Sequence, residues 1–268
     1  MQGELTFYNS RANFLARCFT IEYGCWFRLM LPALDRLRLV MPLGGTTLFF
    51  RADVLRRLGS WDAFNVTEDA DLGIRLARAG YRTEFITTTT YEEANNRTIP
   101  WVKQRSRWLK GYIITYMVHM RHPKQLWRDL GTWRFLGIQM LFGTTILQIT
   151  LAPVIWSLWV LPFGLTHPST HVIGANGLTL IFAFMILATV IEVLTGVIVM
   201  WRARKFHLLP TVFLMVLYHP LPTFAIMKAI GELVHRPFYW DKIEHGHSAE
   251  DTVPSAAPAI AARDQVCP

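Results

Sequence analysis

Residues 135–161, FLGIQMLFGTTILQITLAPVIWSLWVL, contain no Asp, Glu, Lys or Arg. At about 1.5 Å per residue a helix of this length crosses a hydrocarbon core of about 30 Å. Residues 178–200 form a second such stretch, interrupted only by Glu192. No soluble fold easily hides two runs of this kind, so they constrain the chain more than any other feature. The connection between them, 162–177, has no Lys or Arg, whereas WRARKFH at 201–207 has three. The positive-inside rule therefore puts 162–177 outside and 201–207 inside. The region before residue 135 then also lies inside, two crossings away.

A third apolar stretch, 208–230, is interrupted by YHPLP. Pro220 and Pro222 argue against a straight helix, so a re-entrant or interfacial hairpin is favoured over a kinked span. Glu192 is costly in lipid and is expected to face other helices, most simply through an interhelical hydrogen bond. Residues 236–268 read as a cytoplasmic tail, disordered from about 247, where SAEDTVPSAAPAIAARDQ begins.

Charge divides the chain near residue 134. Twenty of the 27 Lys and Arg residues precede that point. The formal net charge is +8, the pI about 9.7 and the mean hydropathy +0.26. Basic and apolar together argue against both a soluble enzyme and a nucleic-acid binder, and favour a membrane protein with a cytoplasmic portion. Cys18, Cys25 and Cys267 form no CxxC pair, so they read as reduced thiols rather than a disulfide or zinc framework. Residues 1–20 have no signal-peptide core, because Arg11 and Arg17 interrupt it.

The polar part mixes elements. Residues 13–34 are apolar on one side and predict a helix. LVMPLGGTTLFFRADVLRRLGSWD predicts a loop, a short strand and a short helix closed by Gly59. DADLGIRLARAGY carries Leu72, Leu76 and Ala79 at helical spacing, with Gly80 placed as its C-terminal stop. RTEFI, 82–86, alternates like a strand, and TTTTYEE reads as a connection. Strand and helix alternation predicts an α/β class.

Two motifs carry chemistry. Thr67, Glu68 and Asp69 begin a helix, where Thr is a fair cap and acids complement the dipole. That alone is an ordinary helix start. Further on, QRSRWLKG places Gln104, Arg107 and Trp108 on one helix face. Arg offers a fork to phosphate, Gln amide hydrogen bonds, and Trp a flat surface for a sugar. His119 and His122 are three residues apart but lack clear further metal ligands, so a helix end is the simpler reading.

T-E-D, about 35 residues, then Q-x-x-R-W followed by apolar spans resembles the processive family 2 glycosyltransferases, the cellulose synthase-like polysaccharide synthases. PLGGTTLFFR, GSWD and HRPFYWDKIEHG add to the resemblance, which covers roughly 1–247. It implies a partial GT-A-type α/β domain over 1–100, interfacial amphipathic helices over 101–134, and transmembrane or re-entrant helices over 135–235. It implies Asp69 as general base, positioned by Glu68 and Thr67. It implies Gln104, Arg107 and Trp108 as the grip on the donor diphosphate and the acceptor sugar. Gly44, Gly45 and Thr46 would let backbone approach the acceptor. The implied setting is a bacterial inner membrane with the catalytic part cytoplasmic, a nucleotide-sugar donor, UDP-glucose by expectation, and a polysaccharide acceptor.

The resemblance also implies a nucleotide-binding half with a D-x-D pair for Mg or Mn. Residues 1–66 contain no such pair. The only D-x-D is Asp69-Ala70-Asp71, which fits the base position better than a metal site. The chain therefore reads as the C-terminal part of a larger transferase, with little activity alone and a possible partner chain for the missing half. The alternative is a non-catalytic membrane subunit descended from a transferase and involved in polysaccharide export.

Overall fold

The structure is a computed structural model that describes residues 1–236, without the side chains of Pro162 and Ala175. The expectations for the tail, for Cys267 and for most of HRPFYWDKIEHG lie outside the described residues. The fold is mostly helical, with one small parallel sheet. Strands are thus scarcer than the alternation of elements predicts.

Strand β1, Gln2–Phe7, pairs in parallel with β2, Phe85–Glu92. Every residue of β1 is buried. The pairing explains why TTTT is strand rather than connection: Thr89 and Thr90 sit opposite Glu4 and Leu5. Helix α1, Phe14–Cys25, opens with Asn13, whose side chain accepts from Ala16 N, and runs through a wide turn at Trp26–Met30 into α2, Leu31–Arg36. The predicted helix over 13–34 is therefore present. A loop leads to α3, Ala52–Arg57, closed by Gly59 at φ +75°. Helix α4, Glu68–Arg78, ends before Gly80 at φ +81°, a conformation that favours glycine. Gly73 has a different reason to be small: a Cβ there would lie 2.4 Å from the Met41 carbonyl oxygen, so the loop before α3 crosses α4 at this point.

Helix α5, Thr98–His119, is the longest in the polar part and is buried at Trp101, Ser106, Leu109, Lys110, Gly111, Ile113, Thr115 and His119. Arg105 lies among the rings of Phe19, Trp101 and Trp108 and donates to Glu22 at 2.6 Å. That arrangement ties α5 to α1. On another side Lys110, fully buried, reaches Glu232 at 3.1 Å in α10, Pro220–His235.

Helices α6, Pro123–Ile138, and α7, Thr144–Ser157, join through a wide turn at Gln139–Gly143, and α8 spans Thr170–Arg202. Among the described residues, two helical stretches are long and apolar enough to cross a membrane: Pro123–Leu161 and Asn176–Arg202. They contain the two runs expected from the sequence. Leu147, Leu180 and Phe184 on them are exposed, as lipid-facing residues must be. The third stretch, which holds α9, Leu209–Phe213, and α10, is a pair bent by 60°, Phe206–Phe213 and Met215–His235, which is either a broken span or a re-entrant loop. Glu192 on α8 meets His219 Nε2 at 2.8 Å, the interhelical bond expected of an acid in a span.

Gly73→Ala should destabilise the protein by about 1–3 kcal/mol, because the clash is with backbone that cannot rotate away. Gly80→Ala, with open space but a positive φ, should cost about 1 kcal/mol, at the low end of that range. Thermal unfolding in detergent checks both, and the reverse order would contradict the packing at Gly73.

Candidate functional site

Helix α4 places its first-turn acids on different faces. Successive helical residues turn by about 100°, so Asp69 and Asp71 point roughly 200° apart. Asp71 turns inward and is 5% exposed. Its Oδ2 accepts from Arg75 Nε at 2.6 Å, and its Oδ1 meets His119 Nε2 of α5 at 2.8 Å. Burial pushes its pKa up, but the bonds from His119 and Arg75 outweigh that and hold it below the ordinary 3.8. Arg75 also donates to the carbonyls of Leu58 and Ser60, both at 2.7 Å. Asp71 is thus the anchor of a scaffold. With its oxygens so engaged it does not fit a metal pair with Asp69. No group of three or more His, Cys, Asp or Glu suited to a metal occurs among the described residues.

Asp69 faces the other way, onto a cavity of about 670 Å³. Loop residues Gly45, Thr47, Leu48 and Phe50 line one side, and Trp61, Asp62, Ala63 and Asn65 another, with Glu68 and Asp69 at the head of α4. Asp69 Oδ1 accepts from the Trp61 indole Nε1–H at 2.8 Å. A Cβ on Gly45 would lie 3.1 Å from Asp69 Oδ2, so glycine lets this loop close on the carboxylate. Burial raises the Asp69 pKa above its ordinary 3.8, and the Trp61 bond offsets part of that rise. Glu68 is also raised, chiefly by burial and further by Asp69, against a lowering contribution from Arg107.

The loop over Gly44–Thr46 is held from beneath by Gln2. The buried Gln2 amide accepts from Gly44 N at 2.8 Å and donates to the Thr46 carbonyl at 3.0 Å. Thr67 stands at the N-cap of α4, but its hydroxyl makes no cap bond. It lies instead 3.3 Å from Asn65 Oδ1 and from the Thr115 hydroxyl of α5. The two helices nearly touch here: a Cβ on Gly111 would come within 2.4 Å of Thr67 Cγ2. The T-E-D segment and the helix of the Q-x-x-R-W motif therefore meet.

The three residues of that second motif diverge. Arg107 acts on Glu68 electrostatically. Gln104 Oε1 accepts from Asn95 at 2.7 Å, and Trp108 packs on Phe19 and Tyr23 of α1. None of the three is among the residues lining the Asp69 cavity, nor are Gly44, Thr46 and Thr67. Of the expected site, the structure brings Gly45, Glu68 and Asp69 to one cavity and Arg107 within electrostatic reach.

A family model described as Glycosyl transferase family group 2 matches residues 1–227. The chain belongs to that family. It is also similar to "Probable glycosyltransferase YdaM" of Bacillus subtilis (strain 168), 27% identical over 110 residues. That alignment covers 41% of this chain and 26% of the relative, so the chain spans about a quarter of that protein's length. The family match runs through T-E-D, Q-x-x-R-W and the apolar helices as far as α10. Within this group 2 chain, Trp61, Gln2, Arg75 and Gly111 position the cavity without belonging to either motif.

Asp71→Ala should destabilise the protein by about 3–5 kcal/mol, because it leaves Arg75 and His119 without their carboxylate. The sign of the pH dependence follows from its depressed pKa. The contribution is present above the ordinary carboxylate value and lost as pH falls through the folded one, so Asp71→Asn should flatten the acid-unfolding limb below about pH 4. Denaturant unfolding at pH 3 and pH 7 measures it; an unchanged difference between the two would rule out this anchor.

Proposed function

We propose that the chain is the acceptor-activating and membrane part of an inverting, processive glycosyltransferase. The observation that carries the reading is the Asp69 carboxylate, set at the N-terminus of α4 on a cavity, with one oxygen tied to Trp61 and the other turned towards Gly45. Asp69 takes the proton from an acceptor hydroxyl. That oxygen attacks the anomeric carbon of a nucleotide-sugar from the face opposite the leaving group. The bond from the sugar to the nucleoside diphosphate breaks, and the diphosphate leaves with the electron pair. One base suffices for this inversion. A carboxylate whose pKa burial has raised is a better proton acceptor.

The other assignments belong to the same proposal. Thr67 and Glu68 position the base, Arg107 offsets charge growing on the diphosphate, and Gln104 and Trp108 hold the α5 surface near donor and acceptor. Gly44, Gly45 and Thr46 form the acceptor-side loop. The charged residues lining the cavity, Asp62, Glu68 and Asp69, are all acids. They favour an uncharged glycan over a uronate-bearing one. Phe50 and Trp61, edge to face at 5.6 Å, offer it apolar surface. UDP-glucose as donor, a polysaccharide product, a partial GT-A-type domain and a bacterial inner membrane with this cavity on the cytoplasmic side complete the reading.

The family resemblance brings a divalent metal that grips the diphosphate, and the residues described here do not fit one. Its ligands and the nucleotide pocket are proposed to lie in a further segment or a partner chain. The 268-residue chain alone should then show little transfer, and robust transfer by the purified chain would refute this division. In the full-length membrane transferase Asp69→Asn should lower transfer by roughly 10²–10⁴-fold while sparing nucleotide-sugar binding. Arg107→Ala should weaken nucleoside diphosphate binding about tenfold or more. Unchanged transfer in Asp69→Asn would instead favour a non-catalytic export subunit.

A further inference from the structure

Trp61 is attached to the site by an unusual amount of structure for a surface tryptophan. It is 42% exposed, and a side chain on a rim like this ordinarily samples several rotamers. Here four features fix it. Gly59 and Ser60 both have positive φ, +75° and +60°, and together reverse the chain immediately before it. Arg75 holds the carbonyls of Leu58 and Ser60 at 2.7 Å. Asp71 holds Arg75 in turn. Phe50 packs perpendicular to the indole at 5.6 Å. The one polar atom of the indole then ends 2.8 Å from Asp69 Oδ1.

We propose that Trp61 is the positioning residue of the Asp69 carboxylate: its indole N–H holds Oδ1, so that Oδ2 is the oxygen presented for proton transfer. This rests on the reading of Asp69 as the base. Among the described residues no hydrogen bond is made by Oδ2. The indole donates only, since its nitrogen has no acceptor capacity, so the bond exists only to the ionised carboxylate or to a protonated one whose proton sits on Oδ2. The bond therefore does two things at once. It fixes the carboxylate plane, and it favours the ionised form against the burial that opposes it.

The charged groups facing this carboxylate are few. Glu68 stands beside it on α4, and Asp62 lines the same cavity from the loop after α3. Arg107 of α5 acts on Glu68. Asp71 lies on the opposite face of α4, engaged with Arg75 and His119. With two acids near it and Arg107 directed at Glu68, the Trp61 N–H is the group that favours the ionised form of Asp69 by direct contact.

The test needs no substrate in its first arm. The full chain in lipid nanodiscs, labelled with ¹⁵N on its ten tryptophans, gives indole N–H resonances, and Trp61→Phe identifies one of them by its loss. That resonance should move with pH, with a midpoint above 3.8, and should stop moving in Asp69→Asn. A Trp61 resonance that does not titrate, or that titrates unchanged in Asp69→Asn, overturns the proposal. The second arm uses the full-length membrane transferase. Trp61→Phe keeps the ring against Phe50 and removes the donor. It should move the acidic limb of the kcat/KM profile to higher pH by about one unit. An equal loss of rate at every pH, with the limb unmoved, would mean packing only and would also overturn it. If Asp69→Asn retained transfer, the base reading would fail separately, and the indole titration would still decide whether the bond exists.

Discussion

The buried carboxylate of Asp71 is the interaction on which the rest of the polar part depends. Removing an ion from water is expensive, and the cost is offset only where partners satisfy both oxygens. Arg75 and His119 do so from two elements, the same helix and the neighbouring α5. Because Arg75 also holds the carbonyls of Leu58 and Ser60, one buried charge joins α4, α5 and the loop that carries Trp61. His119 extends the network to Arg78 at 3.2 Å, and Arg78 to Asp129 of α6 at 2.7 Å. The foot of the cavity is therefore built of satisfied ions rather than of apolar packing alone.

Helix α5 transmits that order towards the apolar helices. At Gly111 it meets Thr67 at a distance no side chain would permit, and at Thr115 it accepts from the Asn65 amide and bonds the Thr67 hydroxyl. About two turns or more earlier, Arg105 binds Glu22, which also accepts from Tyr218 of the bent pair at 2.8 Å. Lys110 reaches Glu232. Arg105 and Lys110, neighbours of the Q-x-x-R-W residues on α5, thus serve as joints between the polar part and the bent pair that ends in α10. Trp108 and Gln104 instead tie α5 to other elements of the polar part, α1 and Asn95.

Helix α4 was legible because its apolar residues recur at helical spacing and Gly80 stops it; the two spans were legible because length and missing charge leave few alternatives. Glu192 was legible for a similar reason, since an acid in lipid needs a partner. Strand β1 was not assigned from the sequence, and the second strand extends six residues past the predicted RTEFI, because a parallel pair is made by residues more than eighty positions apart. Trp61 was equally hidden. In GSWD it counts only towards the family resemblance, and only the two left-handed residues before it bring the indole back to Asp69. Thr67 shows the opposite error: its place at the helix start was clear, but its hydroxyl is used between helices rather than as a cap.

The D-A-D triplet shows why sequence proximity misleads on a helix. Two carboxylates two positions apart suggest one chelating pair, yet helical geometry sends them to opposite sides. That separation is what permits two incompatible environments within three residues. Asp71 gains Arg75 and His119 as partners and is held ionised without access to the cavity. Asp69 gains a single neutral donor and remains on the cavity wall, with a pKa raised by burial. A carboxylate bonded as Asp71 is would be a poor base, since proton uptake would break the bonds that stabilise its charge. A carboxylate without any bond would be free to turn away from the cavity. One neutral N–H on one oxygen lies between those limits: it orients Asp69 while leaving the other oxygen's basicity available.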